Sequence, residues 1–376
     1  MEDHPKTTKI DYRFLKFAIS LGYRNLGSTW PNPSVGCVIV KNNHIVGVGN
    51  TAYKGRPHAE KIALDQAKSN AIDSTVYLTL EPCSHFGKTN PCASELIKAK
   101  VKRVVCPLND PDPRVNGKGF ELLKKNGIEV DNSPLLLKEL KDLNEGFITS
   151  IKKKRPHITL KLAVSLNGKI ATKENKSSWI SGKKSRIFVQ MIRSKHDAIL
   201  IGSKTAFWDN PRLNLRDQFK NLPQPTKIIL DKNLKLLERI DLNRSITNNK
   251  LFLVHDIKLK KKKTESLKVK GINTLGVSTL ENGYLDLIDL FKKLSKLGLT
   301  RVLVEGGGKL ATSLMEGKLV DKLILITAGI ILDKEGIDGI NLDLSDLISL
   351  DDYDRYSLDK SSIIGNDVAH IWNIKN

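Results

Sequence analysis

A histidine and two cysteines impose the strongest constraint on how this chain can fold. His58 lies in a Pro-His-Ala-Glu segment, Cys83 follows Glu-Pro, and Cys92 follows another proline nine residues later. One histidine and two cysteines can supply three protein ligands to zinc and leave its fourth position open for water, as catalytic zinc sites do. The pattern therefore predicts a fold that brings these three residues together around one metal ion.

Glu60 lies two residues after His58, too close in sequence to be a typical fourth ligand. At that position a carboxylate can move protons at the metal-bound water, which is general acid–base catalysis. The order His-x-Glu, Pro-Cys and a further cysteine is typical of zinc-dependent nucleobase deaminases. The remaining cysteines, Cys37 and Cys106, lie in apolar runs and are predicted to be buried small hydrophobic residues.

The length of 376 residues predicts two domains. We expect the boundary between residues 148 and 149, giving domains 1–148 and 149–376, near a basic run that ends at Pro156. No apolar run approaches the roughly 18 residues of a membrane span, and residues 1–6 lack the apolar segment of a secretory signal. With only four cysteines, the composition is typical of a reducing cytoplasm, so we expect a cytoplasmic protein without a membrane partner.

A net charge of +21 favours binding to polyanions, including nucleic acids. The lysines are scattered, however, and the one dense block is residues 258–263. Two alternatives stay open on the residues alone: a deaminase directed to RNA or DNA, and a nucleotide-binding regulatory protein with a degenerate site. A deaminase directed to RNA or DNA does not account for residues 149–376. The intact zinc pattern disfavours a regulatory protein with a degenerate site. We expect small phosphorylated partners and no nucleic acid, and homo-oligomerisation stays open.

Hydrophobic periodicity predicts strands alternating with helices in both halves, which indicates two α/β layered domains. In the first half, helices are predicted over 10–21, 58–67 and 120–125 and from Pro91, and strands over 35–40, 45–48, 75–80 and 103–106. In the second half, strands are predicted over 157–164, 197–201, 227–230, 251–254, 301–304 and 323–326, and helices over 185–194 and 285–297. The metal-site residues fall at helix starts and strand ends.

Four segments of the first half closely resemble the bifunctional riboflavin-biosynthesis deaminase–reductase family: residues 29–40, 57–60, 78–89 and 110–119. The spacing from Cys83 to Cys92 is wider than the Cys-x-x-Cys of cytidine and tRNA-adenosine deaminases. The resemblance implies a cytidine-deaminase-like domain that acts on 2,5-diamino-6-ribosylamino-4(3H)-pyrimidinone 5′-phosphate.

Segments 160–169, 177–181, 197–202 and 209–213 resemble the reductase half of the same family. That resemblance implies a dihydrofolate-reductase-like domain that uses NADPH to reduce the ribosyl group to a ribityl group. Residues 305–308, Glu-Gly-Gly-Gly, follow an apolar strand and precede a helix, so their amides can hold a phosphate. A tight turn is the equal alternative, because the glycines lack the Gly-x-Gly-x-x-Gly spacing of a dinucleotide fingerprint.

The resemblance also implies roles for individual residues. One zinc per chain is expected on His58, Cys83 and Cys92, with Glu60 catalytic. The cofactor residues are expected to be Ala163, Trp179, Thr205, Asp209, Lys232, Gly307, Gly308, Lys309, Leu310, Ala311, Thr312 and Ser313. The substrate residues are expected to be Asn32, Ser177, Arg193, Leu213, Arg216 and Glu305. Lys161 is a further candidate, for assisting at the sugar, and an ordinary lysine at a strand edge is the alternative. His85, Lys88, Asn109 and Asp110 stay open between substrate contact and ordinary loop polarity.

Two residues depart from the family pattern. Asn167 stands where aspartate is common, and Lys232 stands where a serine often contacts the cofactor. A lysine could still meet the 2′-phosphate of NADPH.

Overall fold

Two units make up the chain, Met1–Arg155 and Pro156–Asn376. The computed structural model describes residues 8–87, 89–174, 180–236, 251–260, 264–267, 272–343, 345 and 354–374. The expected boundary between residues 148 and 149 falls inside a helix of the first unit, Leu137–Lys153. The basic residues Lys152 and Lys153 form the last turn of that helix, where positive charge interacts favourably with the helix dipole. The first unit therefore continues to the end of this helix.

The first unit is built on a five-stranded sheet with the order β2-β1-β3-β4-β5. Its strands are β1 (Gly36–Lys41), β2 (His44–Asn50), β3 (Thr75–Leu78), β4 (Arg103–Val105) and β5 (Glu129–Asp131). The predicted hairpin between β1 and β2 is confirmed. Asn42 and Asn43 both have positive φ, 49° and 61°, as a two-residue type I′ turn requires. Strands β3, β4 and β5 are parallel, so their carboxyl ends meet at one edge.

The helices of this unit are α1 (Lys9–Gly22), α2 (Ala59–Ala67), α3 (Cys92–Lys98), α4 (Lys118–Lys125) and α5 (Leu137–Lys153). Helix α2 lies unusually close to β2 because β2 carries two glycines. A Cβ at Gly47 would lie 2.3 Å from the Ala63 carbonyl oxygen, and one at Gly49 would lie 2.1 Å from that of Ala59. The glycines thus fix the amino terminus of α2, which follows His58, against the sheet. The predicted elements of this half are present, with ends shifted by at most two residues.

A buried polar network joins α1 to the sheet. Asp11 Oδ1 accepts hydrogen bonds from Tyr77 Oη and Arg103 Nη1, both at 2.8 Å. Arg103 Nη2 also donates to Asp131 Oδ2 at 2.6 Å. Burial favours the neutral acid, but Arg103, Thr8 and Tyr77 together hold the pKa of Asp11 below its ordinary value. The ionised carboxylate therefore contributes to the stability of the first unit.

We predict that Asp11→Asn lowers the free energy of unfolding by about 2 kcal/mol at pH 7, because hydrogen bonds to a charged group are lost. Since the folded pKa is lowered, this contribution is complete above the unfolded pKa of about 4 and is lost as the pH falls through the folded value. Urea denaturation at pH 7 and pH 3 measures both effects. Tyr77→Phe, which removes one neutral donor, is the control at about 1 kcal/mol. Equal destabilisation by the two variants at pH 7 would contradict the prediction.

The second unit is built on a nine-stranded sheet with the order β11-β10-β9-β8-β12-β6-β13-β16-β15. The strands in chain order are β6 (His157–Val164), β8 (Ala198–Gly202), β9 (Thr226–Leu230), β10 (Leu251–Asp256), β11 (Asn273–Val277), β12 (Arg301–Val304), β13 (Lys322–Ala328), β15 (Ser357–Ile364) and β16 (Asp367–Asn373). From β11 to β13 the neighbours are parallel, whereas β16 and β15 run antiparallel. Strands β7 (Lys169–Ala171) and β14 (Ile337–Asp338) form a small separate pair.

The helices described here are α6 (Lys183–Ser194), α7 (Ser203–Asp209), α8 (Leu287–Lys296) and α9 (Gly308–Glu316). The inner strands are rich in apolar residues on both faces, because both faces of the sheet are covered. Every residue of β12 is buried, for example. The strands and helices predicted for this half are present, whereas β7, β11 and the last three strands were not predicted. Among the described helices, none has the length and apolar character that a membrane span needs.

Candidate functional site

The three residues of the predicted metal site converge in the first unit. The ligand atoms of His58, Cys83 and Cys92 all lie within 4.8 Å of one another. His58 Nδ1 is 3.3 Å from Cys92 Sγ and 3.9 Å from Cys83 Sγ. A tetrahedral zinc ion binds nitrogen at about 2.0 Å and sulfur at about 2.3 Å. A histidine nitrogen and a cysteine sulfur on the same zinc therefore lie roughly 3.5 Å apart. The donor set and its spacing therefore fit one zinc ion with an open fourth position.

Secondary structure places each ligand. His58 is the residue before α2, Cys83 lies in the loop after β3, and Cys92 is the first residue of α3 after Pro91. The Cys92 backbone N–H donates to Cys83 Sγ at 3.3 Å. The hydrogen bond with the Cys92 thiol is the main reason that the pKa of Cys83 falls to about 4. A thiolate is the form that binds metal, so the local geometry prepares Cys83 for this role.

Glu60 lies in the first turn of α2 and is 4% exposed. Burial raises the pKa of its carboxyl, with opposition from the charge of His58. Its carboxyl also hydrogen-bonds with Cys92, so it faces the metal-binding group. A buried carboxyl beside a metal site can take up and return protons. Cys37 and Cys106 are fully buried, as predicted, and burial raises the pKa of each thiol.

Asn32 lies at the edge of the metal cluster. Its Nδ2 atom is 2.8 Å from the Gly55 carbonyl oxygen and 3.2 Å from His58 Nε2. The two nitrogens of His58 thus have different neighbours, the thiols at Nδ1 and Asn32 at Nε2. A side-chain partner on the second ring nitrogen orients a ligating histidine.

The polar residues near the metal cluster in sequence, His85, Asn109 and Asp110, have different environments. His85 Nδ1 is buried without a hydrogen-bond partner in the described part of the chain, and Lys88 lies outside the described residues. Asn109 is exposed. Asp110 is buried, and burial raises its pKa to about 7.

A large cavity opens at the carboxyl ends of β6, β8, β9 and β12 in the second unit, with a volume of about 1130 Å³. Ligands of parallel α/β sheets bind at this edge, and drug-sized ligands occupy about 300–1,000 Å³. The cavity therefore has room for two ligands. Of the expected residues it is lined by Lys161, Ala163, Arg193, Thr205, Asp209, Leu213, Arg216, Lys232, Glu305, Gly307, Gly308, Lys309, Leu310 and Ser313.

Four expected residues are not among those lining residues. Ala311 is fully buried in α9, and Thr312 Oγ1 accepts a hydrogen bond from the Asn341 N–H at 3.0 Å. Ser177 and Trp179 lie outside the described residues.

Arg193 and Glu305 form a buried ion pair at the cavity wall. Arg193 Nε donates to Glu305 Oε1 at 2.6 Å and Nη2 donates to Oε2 at 2.9 Å, while Nη1 donates to the Asn214 carbonyl at 3.3 Å. Such bidentate pairing compensates both charges and fixes both side chains. Nearby, burial lowers the pKa of Lys161, an effect that Arg193 strengthens and Glu305 opposes. Arg216 is exposed on the cavity side.

Comparisons with known proteins separate the same two units. Residues 8–108 match the family model for the cytidine and deoxycytidylate deaminase zinc-binding region, and residues 156–340 match that for the RibD C-terminal domain. The riboflavin biosynthesis protein RibD of Aquifex aeolicus is 40% identical over 85% of this chain and 87% of that protein. RibD of Escherichia coli is 36% identical over 96% of this chain and 98% of that protein.

The chain belongs to the RibD family of riboflavin biosynthesis proteins. RibD from Acinetobacter baumannii superposes with a TM-score of 0.85 at 32% identity, covering 98% of this chain and 99% of that one. A Thermotoga maritima protein described as a diaminohydroxyphosphoribosylaminopyrimidine deaminase and 5-amino-6-(5-phosphoribosylamino)uracil reductase gives 0.82 at 28% identity, covering 97% and 99%. The RibD fold, a cytidine-deaminase-like unit followed by a dihydrofolate-reductase-like unit, is thereby confirmed, as is the bifunctional deaminase–reductase assignment.

The two departures from the RibD pattern have local structural partners. Asn167 Nδ2 donates to the Leu332 carbonyl at 2.8 Å, and its Oδ1 accepts from the Leu332 N–H at 3.1 Å. An aspartate could not make the first of these bonds. Lys232 Nζ donates to the Gly283 carbonyl at 2.7 Å, which attaches the end of β9 to a turn that lines the cavity.

Helix α6 contributes three cavity residues that sequence reasoning missed, Arg186, Val189 and Gln190. Together with Arg193 they recur at the i, i+3, i+4, i+7 spacing of one helix face. Gln190 Oε1 also accepts from the Arg216 N–H at 3.0 Å. Arg193 was expected in the site, and the spacing from it was a signal that could have identified the others.

We predict that Cys92→Ser abolishes stoichiometric zinc binding, because a thiolate ligand of a three-residue site is removed. Metal analysis after dialysis against a chelator measures the zinc content. Cys106→Ala, which changes a buried cysteine outside the cluster, should retain one zinc per chain. Retention of tightly bound zinc by the Cys92 variant would contradict the assignment of the ligands.

Proposed function

We propose that the first unit removes the exocyclic amine of 2,5-diamino-6-ribosylamino-4(3H)-pyrimidinone 5′-phosphate, and that the second unit reduces the ribosyl group of the product with NADPH. The observation that carries the proposal is the convergence of His58, Cys83 and Cys92 beside buried Glu60. The same chain contains a RibD C-terminal domain with a cavity large enough for a dinucleotide and a substrate. The Thermotoga maritima relative is described by these two activities.

Deamination requires activated water and a group that moves its protons. His58, Cys83 and Cys92 would hold the zinc ion, which would lower the pKa of a bound water to about 7. Glu60 accepts a proton from the attacking water and delivers it to the departing amine. Its carboxyl is buried and its pKa is raised, which suits both the uptake of a proton from water and its delivery to the amine.

Asn32 and the loop between the two cysteines orient the pyrimidine. The Asn32 amide already contacts His58 and Gly55, so its position is fixed relative to the metal. The buried His85 Nδ1, which has no protein partner among the described residues, offers a further hydrogen-bonding group to the substrate. Lys88 belongs to this loop in sequence and is a candidate for contact with the base or the phosphate.

In the second unit, NADPH supplies the hydride and the protein supplies alignment and electrostatics. Gly307 precedes α9, and Gly308 and Lys309 open that helix, so backbone N–H groups and a cation can hold the cofactor phosphates. Lys232, Thr205, Asp209 and Ala163 line the same cavity, as Trp179 is expected to do.

In this proposal the substrate would bind in the same cavity, held by the lining residues expected for it. Lys161, whose pKa is lowered by burial, gives a proton to the sugar oxygen that hydride transfer makes basic. The paired Arg193 and Glu305 hold the sugar and base in position, together with Leu213 and Ser177. Arg216, which is exposed toward the cavity, binds the substrate phosphate, since guanidinium pairs with phosphate in a bidentate manner.

The proposal includes one zinc per chain, NADPH as the reductant, small phosphorylated pyrimidines as partners and a cytoplasmic location. Product analysis with the pyrimidine phosphate, with and without NADPH, tests it. Ammonia should be released without NADPH, and NADPH should be oxidised once the deaminated product is present. Zinc-loaded protein that is inert toward both substrates, or that deaminates RNA instead, would overturn it.

We predict that Glu60→Gln retains zinc and loses deaminase activity by a factor of at least about 10², the lower range of general acid–base contributions. NADPH oxidation with the deaminated product should be unchanged, because every residue of that cavity lies in the second unit. All three measurements are made on one preparation of the variant. Ammonia release reports deaminase activity, NADPH absorbance reports reductase activity, and metal analysis gives the zinc content. Normal ammonia release by the variant would exclude Glu60 as the proton carrier.

We predict that Arg216→Gln raises KM for the phosphorylated substrate of the reductase about tenfold or more, because a charge-assisted pair with phosphate is lost. The Kd for NADPH, measured by fluorescence titration, should stay unchanged. Arg212→Gln is the matched control, since Arg212 is exposed nearby and is not one of the lining residues. An equal rise of KM in both variants would show that general positive charge, rather than Arg216, attracts the substrate.

A further inference from the structure

Glu81 is a buried carboxylate that does not belong to the metal cluster. It lies between β3 and Cys83 and is 3% exposed. Its Oε2 atom accepts backbone N–H groups from Asp110 at 3.0 Å and Gly117 at 2.9 Å. Its Oε1 atom accepts those of Gly119 at 2.9 Å and Phe120 at 3.4 Å. One side chain thus satisfies four amides of a segment about thirty residues or more further along the chain.

Three of those amides belong to the amino-terminal end of α4. Gly117 is the residue before the helix, and Gly119 and Phe120 lie in its first turn. Helix amino termini attract anions because their first N–H groups lack partners within the helix. Glu81 fills this role from inside the protein, so the end of α4 is already occupied and is not available to a substrate phosphate.

Close packing also holds the start of α4 against the segment that contains Glu81. A Cβ at Gly119 would lie 2.2 Å from the Pro82 carbonyl oxygen and 3.1 Å from Glu81 Oε1, so no larger residue fits without displacing α4. The Glu81 backbone N–H also donates to the Leu108 carbonyl at 3.0 Å. Residues 110–117, here named the clamped loop, are therefore held at both ends against the segment that leads to Cys83.

The clamped loop lies against the residues that precede Cys83, because Asp110 and Gly117 both donate to Glu81. Asp110 is buried, and the charges of both Glu81 and Cys83 act on it. Asp110 Oδ1 accepts from the Asp112 N–H at 2.8 Å, and Asp112 in turn pairs with Arg114 at 2.6 Å. The Glu81 carboxylate therefore holds a loop that carries polar side chains next to the segment that leads to Cys83.

We propose that Glu81 is a positioning residue for deamination, which holds the clamped loop against the metal-ligating segment so that the loop completes the binding surface for the pyrimidine. This inference rests on the proposed function of the first unit. Glu81 contacts neither the metal ligands' sulfur atoms nor His58 through any hydrogen bond of the described residues, and its effect on catalysis is transmitted through the loop.

Glu81→Gln in the full chain is the test, because it preserves size and shape. Each carboxylate oxygen serves two amides, so whichever atom becomes nitrogen, two N–H groups lose their acceptor. KM for the aminopyrimidine phosphate should rise about 10- to 100-fold, the cost of a small misplacement of binding groups, while kcat changes less. Zinc content and reductase kinetics on separately supplied deaminated product should be unchanged. Glu121→Gln, an exposed position on the same helix, is the control and should match the wild type.

Amide hydrogen exchange supplies a readout that does not use catalysis. Residues 110–120 should exchange faster in Glu81→Gln, and the α2 and α3 segments should not. Gly119→Ala, which displaces α4 while keeping the carboxylate, should reproduce both the faster exchange and the rise in KM. Loss of zinc, a fall in kcat at unchanged KM, or reduced thermal stability with normal KM would each overturn the positioning role.

The two proposals fail in different ways. A wild-type chain that releases no ammonia would contradict the proposed function, whereas the exchange rates would still show whether Glu81 holds the clamped loop. A wild-type chain that is active, with Glu81→Gln equally active at the same KM, would contradict only the positioning role.

Discussion

The convergence of one imidazole and two thiols on a single point is the constraint on which the first unit depends. The three ligands come from the start of α2, the loop after β3 and the start of α3. Gly47 and Gly49 allow α2 to lie directly on β2, and Glu81 fixes the segment that leads to Cys83. These contacts hold the three candidate ligands in place through the packing and hydrogen bonds of the protein itself.

The second unit organises its site through charge compensation instead of metal ligation. Arg193 and Glu305 neutralise each other in the cavity wall, which fixes two polar groups without leaving a net buried charge. The charges of Arg193 and Glu305 both act on the pKa of Lys161, which lies on β6. Arg216 is exposed along the cavity. Lys161 and Arg216 thus line a cavity that an anionic ligand can enter, while the Arg193–Glu305 pair fixes the geometry of its wall.

Sequence alone predicted the convergence of His58, Cys83 and Cys92 and most strands, because those signals are local: fixed spacings and short apolar runs. It failed where tertiary contacts decide. Helix α5 was not predicted because Asn144 and Gly146 weaken its helical propensity, whereas the burial of Leu140 and Leu143 stabilises it. The pairing of Arg193 with Glu305 joins residues 112 positions apart. For the hairpin of β15 and β16 a signal existed, since Gly365-Asn366 is a typical two-residue turn.

The described residues assign the two sites to separate units. The metal cluster uses residues between 58 and 92, and the cavity is lined by residues between 161 and 337. Among the described residues, neither site takes a lining or ligating residue from the other unit, so these residues offer no shared side chain through which a substitution could act on both reactions. The reductase reaction is therefore a folding control for changes in the deaminase site, and deamination serves the same purpose for the cavity. The effects of substitutions at sites without shared contacts are usually independent of each other. A single substitution that impaired both reactions would therefore act by lowering the stability of the protein.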